Sequence, residues 1–145
     1  MKTITKLIYA AFAVLVLGIG AVTAKGAVND LFASINGTGD NGGGFIYKYT
    51  STGVQSIFAS GLSQPRGVAF GNFGNLFVAT ETCDNTNTCQ GAIVKITPGG
   101  AQSTFATLSQ QNFQPEGVAF DAAGNLFVMA IDLTDPNPVR PVCIP

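Results

Sequence analysis

Two stretches of this chain are near copies of one another. QPRGVAFGNFGNLFV fills positions 64–78 and QPEGVAFDAAGNLFV fills positions 114–128, with 11 of the 15 residues identical. A second pair, FIYKYTSTGVQSIFAS (45–60) and AIVKITPGGAQSTFAT (92–107), shares 8 of 16 residues at an offset of 47. A shorter version of the N-L-F-V element, NDLFAS, stands at 29–34. Two half-units therefore alternate in a fixed order, and a period of this size signals a repeat architecture. A generic β-sandwich with chance similarity does not account for so many identities.

Each half-unit reads as paired strands. GVAF and NLFVA are apolar at successive positions, so both faces of these strands should be buried. Between them, D-A-A-G-N (121–125), or G-N-F-G-N in the earlier copy, suits a tight hairpin with glycine at a left-handed corner. AIVKIT alternates and ends at Pro98-Gly99-Gly100, a turn signal. QSTFAT is more polar and should form an outer, exposed strand. Four short antiparallel strands per repeat are the pattern of a β-propeller blade.

The predicted fold is therefore all-β, an incomplete propeller of about two and a quarter four-stranded blades (25–130), preceded by a signal-peptide helix (1–24). Nine strands are expected: three from residue 29, four over 67–107 and two over 117–130. The tail at 131–145 carries Pro136, Pro138, Pro141 and Pro145 and is predicted to be irregular. Closed propellers have about 4 to 8 blades. The missing ones are expected from a longer chain of which this is a fragment, or alternatively from other copies of the chain. Terminal apolar faces built from residues such as Val68, Phe70, Phe77 and Val118 would otherwise meet water.

The N-terminus addresses the protein. Lys2 and Lys6 precede an apolar run at 7–22, and Val22-Thr23-Ala24 ends it with small residues. That is the build of a secretory signal peptide cleaved after Ala24, giving a secreted chain, extracellular or periplasmic. The alternative is an uncleaved anchor, for which 16 apolar residues are short. Cleavage removes two lysines and leaves 5 basic against 8 acidic residues, a net charge of −3. Mild acidity speaks against nucleic acid as a partner, and no second segment is long enough to span a membrane. The remaining partner classes are an unidentified small molecule or a protein.

The chain has no histidine, which excludes Ser-His-Asp and Cys-His catalysis and His-ligated zinc. It has no tryptophan either, which weakens a sugar-stacking site. Cys83 and Cys89 flank the polar loop CDNTNTC, and in an exported protein a disulfide is favoured over two free thiols. Two thiolates without further ligands do not complete a tetrahedral metal site. Cys143 is then left free or paired outside the chain. Asn36 to Gly42 carries oxygen-bearing side chains at alternate positions but lacks the spacing and the bidentate acid of a calcium loop.

P-x-G-V-A-F-D-x-x-G-N-L-F-V followed by x-I-x-K-x-T-P-x-G resembles the NHL-type repeats of secreted six-bladed propellers, which are often grouped with the gluconolactonase and regucalcin family. The resemblance covers residues 29–130. It implies that the x of P-x-G lies on the loop entering the innermost strand, at one mouth of the central channel, where the lactonase branch holds a divalent cation such as calcium with acidic or amide side chains. Glu116 matches such a ligand. Arg66, at the equivalent place in the other copy, departs from the pattern, because a guanidinium repels a cation. Arg66 and Glu116 are accordingly expected to form an ion pair on the channel rim. Two functions remain open: a secreted binding or scaffold module, or part of a metal-dependent lactone hydrolase. A lyase of the virginiamycin B type, whose chemistry uses a histidine base, is excluded by composition.

Overall fold

The computed structural model describes residues 30–37, 43–86, 88–108, 112–134 and 139–144. The predicted signal peptide (1–24) and positions 38–42 of the glycine-rich loop lie outside these. Among the described residues, ten strands make three antiparallel sheets. The first blade contains β1 (Leu31–Ile35), β2 (Gly44–Tyr49) and β3 (Gln55–Leu62), in that order. The second contains β4 (Val68–Phe70), β5 (Leu76–Cys83), β6 (Cys89–Ile96) and β7 (Gln102–Thr107). The third runs β8 (Phe113–Phe120), β9 (Leu126–Asp132) and β10 (Val139–Ile144). The fold is a partial β-propeller, and its only helical element among the described residues is a single 3-10 turn at Asn72–Gly74.

Turn chemistry recurs with the repeat. In T-S-T-G and T-P-G-G, the Thr50 and Thr97 hydroxyls accept from the amides of Val54 and Ala101, both at 3.1 Å. Gly53 and Gly100 take the left-handed conformation there (φ 83° and 84°), which a glycine adopts without Cβ strain. The D-A-A-G-N corner is fastened differently. Asp121 Oδ1 accepts from the amides of Ala123 (2.9 Å) and Asn125 (2.8 Å).

Two apolar layers join the blades. Ile46, Ala59 and Leu62 of the first blade pack on Leu76, Val78 and Ile96 of the second. On the opposite face of the second blade, Phe77, Ala79 and Ile93 pack on Leu126 and Val128 of the third. Sandwiched on both sides, β5 is buried from Leu76 through Glu81. β9 is not: it alternates, with Phe127 and Met129 exposed, because no sheet covers its outer face.

The structure corrects three expectations. Among the described residues there are ten strands, and the third blade has three rather than two, because the tail expected to be irregular carries β10. Pro141, the proline within β10, is tolerated because β10 is an edge strand among the described residues, where a missing N–H donor need not break the ladder. The segment Pro115-Glu116-Gly117 lies inside β8 rather than in a loop before it. G-N-F-G-N closes the expected hairpin with Gly74 left-handed (φ 73°), as Gly124 is (φ 92°) in the other copy, and does so through a 3-10 turn that leaves Phe73 94 % exposed. Val68, Phe77 and Val118 sit in the layers between blades, and Phe70, 45 % exposed, meets Phe32 across the first junction, so the uncovered faces are built from other residues. On the first blade these include Leu31, Ile35 and Ile57; on the third, Phe127, Met129 and Val139.

Candidate functional site

Both P-x-G segments are β-bulges at the junction between the second and third blades. In β8 the register slips between Pro115, opposite Ala130, and Gly117, opposite Met129, so Glu116 is the extra residue. In the second blade the Arg66 amide donates to Ala79 O, and the Ala79 amide donates to Gly67 O, both at 2.9 Å. Two residues thus face one, which bends the strand and redirects the inserted side chain. The glycine that follows has its own cause. The Gly67 amide donates to Glu116 O at 2.9 Å, and a Cβ on Gly67 would stand 2.6 Å from that oxygen. Blades meet here backbone to backbone, and only glycine fits.

Arg66 and Glu116 come together, as the repeat offset implied. Arg66 Nη1 donates to Glu116 Oε1 at 2.8 Å, with both side chains about a quarter exposed (25 % and 27 %). Sequence reasoning missed a third member. Glu81, at 1 % exposure, lies with Oε2 3.4 Å from Arg66 Nη2 and accepts from Gln114 Nε2 at 2.7 Å. Its Oε1, Arg66 Nε and Ser63 Oγ are buried without a hydrogen-bond partner among the described residues. The sequence carried only half of the signal for Glu81: it ends the run LFVATE, and its carboxylate is buried with the rest because both faces of β5 are covered. The first blade joins the cluster through Ser34, whose hydroxyl donates to the Arg66 carbonyl.

The arrangement holds two carboxylates on one guanidinium. When all three are ionised the cluster carries one excess negative charge. The space between Glu81 and Glu116 that a cation would take is filled by Arg66. Glu116 and Arg66 are therefore brought together as an ion pair, with the buried Glu81 behind Arg66.

Cys83 and Cys89 form a disulfide (S–S 2.02 Å) across the last register pair of the β5–β6 hairpin. The hairpin loop it closes is organised by Asp84, whose Oδ1 accepts from the Thr86 hydroxyl (2.7 Å) and the amides of Thr86 (2.8 Å) and Thr88 (2.9 Å). Those bonds, the Thr86 side chain first, hold the Asp84 carboxyl below the usual range. The two sulfurs lie with a Glu81 oxygen within 4.8 Å of one another, but sulfurs joined to each other offer no thiolate to a metal. The side chain of Cys143 lies outside the described residues. A groove of about 340 Å³ between the first and second blades is lined by Ser63, Thr80, Thr82, Ser103 and Thr104 among others, without a charged group.

No family model matches the chain, and no curated protein matches it. Solved structures do. One is a presumed gluconolactonase, at 18 % identity and a TM-score of 0.42, over 68 % of this chain and 34 % of that one. Another is a luciferin-regenerating enzyme, at 13 % identity and a TM-score of 0.35, over 72 % of this chain and 51 % of that one. The chain thus spans about a third to a half of the proteins it is similar to.

Proposed function

We propose that the chain is a secreted, non-catalytic binding or scaffold segment of a propeller. The observation that carries this is the Arg66 guanidinium lying between Glu81 and Glu116, with 2.8 Å to the latter. A charge-assisted pair of this kind fixes adjacent blades at their inner rim. It also spends the carboxylates that hydrolysis through a bound cation would need. The lack of histidine removes the commonest general base and nucleophile activator.

The second function, part of a metal-dependent lactone hydrolase, draws on Glu116 and Glu81 as a potential carboxylate pair for calcium. Calorimetric titration with calcium separates the two. The scaffold function expects no heat in the wild type, and heat appearing once Arg66→Asn frees the carboxylates. Heat in the wild type that Glu116→Ala removes would replace it with the hydrolase.

A further inference from the structure

The two junctions between blades share one aromatic design. At the first, Phe32 of β1 meets Phe58 of β3 at 5.0 Å and Phe70 of β4 at 4.9 Å, both edge to face. At the second, Phe77 of β5 meets Phe105 of β7 at 5.0 Å and Phe120 of β8 at 4.9 Å. Each trio takes one ring from the N-L-F-V strand of a blade and one from its outer strand. The third ring comes from the G-V-A-F inner strand of the next blade. Phe127 holds the same place in the third repeat, fifty residues after Phe77. Its ring is 42 % exposed, with no aromatic neighbour among the described residues.

The glycines repeat the comparison. Gly67 is pressed against the backbone of Glu116 and Gly117. Its counterpart Gly117 meets nothing nearer than Met129 Cε, at 3.5 Å from a built Cβ. The strand has kept a glycine whose reason, in the other copy, is a neighbouring backbone.

We propose that the outward face of the third blade, centred on Gly117, Phe127 and Met129, docks one further blade whose inner strand carries P-x-G-V-A-F. The phenylalanine of that strand completes the third trio. Its P-x-G backbone lies over Gly117, as Glu116 and Gly117 lie over Gly67. The second strand of the incoming blade presents a Leu-x-Val face, because Phe77 and Ala79 receive Leu126 and Val128 at the junction already made. A second copy of this chain fits less well. Its uncovered first blade brings Leu31 and Ala33 but no inner strand among the described residues, hence neither the ring nor the backbone.

The test is a chain lengthened after Ile144 by a second copy of residues 97–144. Ile144 pairs with Leu126 as Ile96 pairs with Leu76, so the addition resumes the repeat in register and supplies an outer strand, then an inner one. In dilute solution, the β9 amides should gain on the order of tenfold protection from hydrogen exchange, and the thermal midpoint should rise. Phe127→Asp and Gly117→Leu should each cancel that gain, while changing the unlengthened chain little. No gain, or a gain that survives both substitutions, would overturn the assignment. So would a discrete dimer of the unlengthened chain that Phe127→Asp dissolves, since a second copy would then hold the face.

Discussion

At the scale of the residue, the three charged groups of the Arg66 cluster are not equivalent, although two of them occupy matching positions. Glu81 is buried and depends on Arg66 and Gln114, whereas Glu116 is a quarter exposed and can be solvated. Arg66→Ala therefore strands a buried carboxylate and should cost about 3 kcal/mol or more. Glu116→Ala removes a partly solvated partner and should cost at most about 1 kcal/mol. Urea unfolding of both variants checks the asymmetry, and equal losses would mean that Glu81 does not depend on Arg66. The Arg66–Glu116 pair was legible in the sequence because the offset of the repeat placed both at one motif position. Glu81 was hidden because it belongs to no repeated motif: its counterparts fifty residues later and forty-five earlier are Ile131 and Asn36. Its burial follows only once β5 is known to be covered on both faces.

At the scale of the element, repeat positions carry the same residue under different loads. Gly67→Ala places a Cβ 2.6 Å from Glu116 O, and forcing the blades apart should cost about 1–3 kcal/mol. Gly117→Ala has room and should be nearly neutral. Thermal unfolding of the pair tests this, and parallel losses would show that conformation rather than close approach selects the glycines. The D-A-A-G-N turn offers a pH signature. Hydrogen bonds to Asp121, first from the Asn125 side chain and then from its amide, hold the carboxyl below the usual range. A lowered folded-state pKa contributes stability that is full above the unfolded value of about 3.9 and is lost as pH falls through the folded value. Carboxyl-carbon NMR should find Asp121 titrating below about 3.9, and an ordinary value would remove the turn from any account of acid sensitivity. The disulfide is an element-scale staple of the β5–β6 hairpin. Closing so short a loop should contribute only about 2 kcal/mol, so reduction should lower the unfolding midpoint without abolishing the transition. The sequence revealed these hairpins through glycine, proline and aspartate. It concealed β10 because prolines read as breakers unless the strand is known to be an edge.

At the scale of the whole molecule, the repeat made the blade count readable to within half a blade. Which faces meet water was not readable, because G-V-A-F and N-L-F-V look alike whether or not a neighbour covers them. Val68 and Phe77 became interior, while Phe127 and Met129, drawn from the same motif, stayed outside. On the first blade, Ala33, Tyr47 and Ile57 line up across β1, β2 and β3 on the uncovered side, and Leu31 lies exposed beside them. Contiguous apolar faces of this kind drive association, whereas single exposed apolar residues do not. The purified chain should therefore associate in an open-ended, concentration-dependent manner through both outer sheets. Ile57→Lys or Met129→Lys, each placing a charge within a face, should raise the concentration at which light scattering appears. Phe73→Lys is the control. Phe73 is 94 % exposed, the most of the large apolar side chains among the described residues, yet it stands on a turn apart from either face, so its replacement should leave the onset unchanged. If Phe73→Lys cured association and the two face variants did not, the outer sheets would not be the surfaces that bring the chains together.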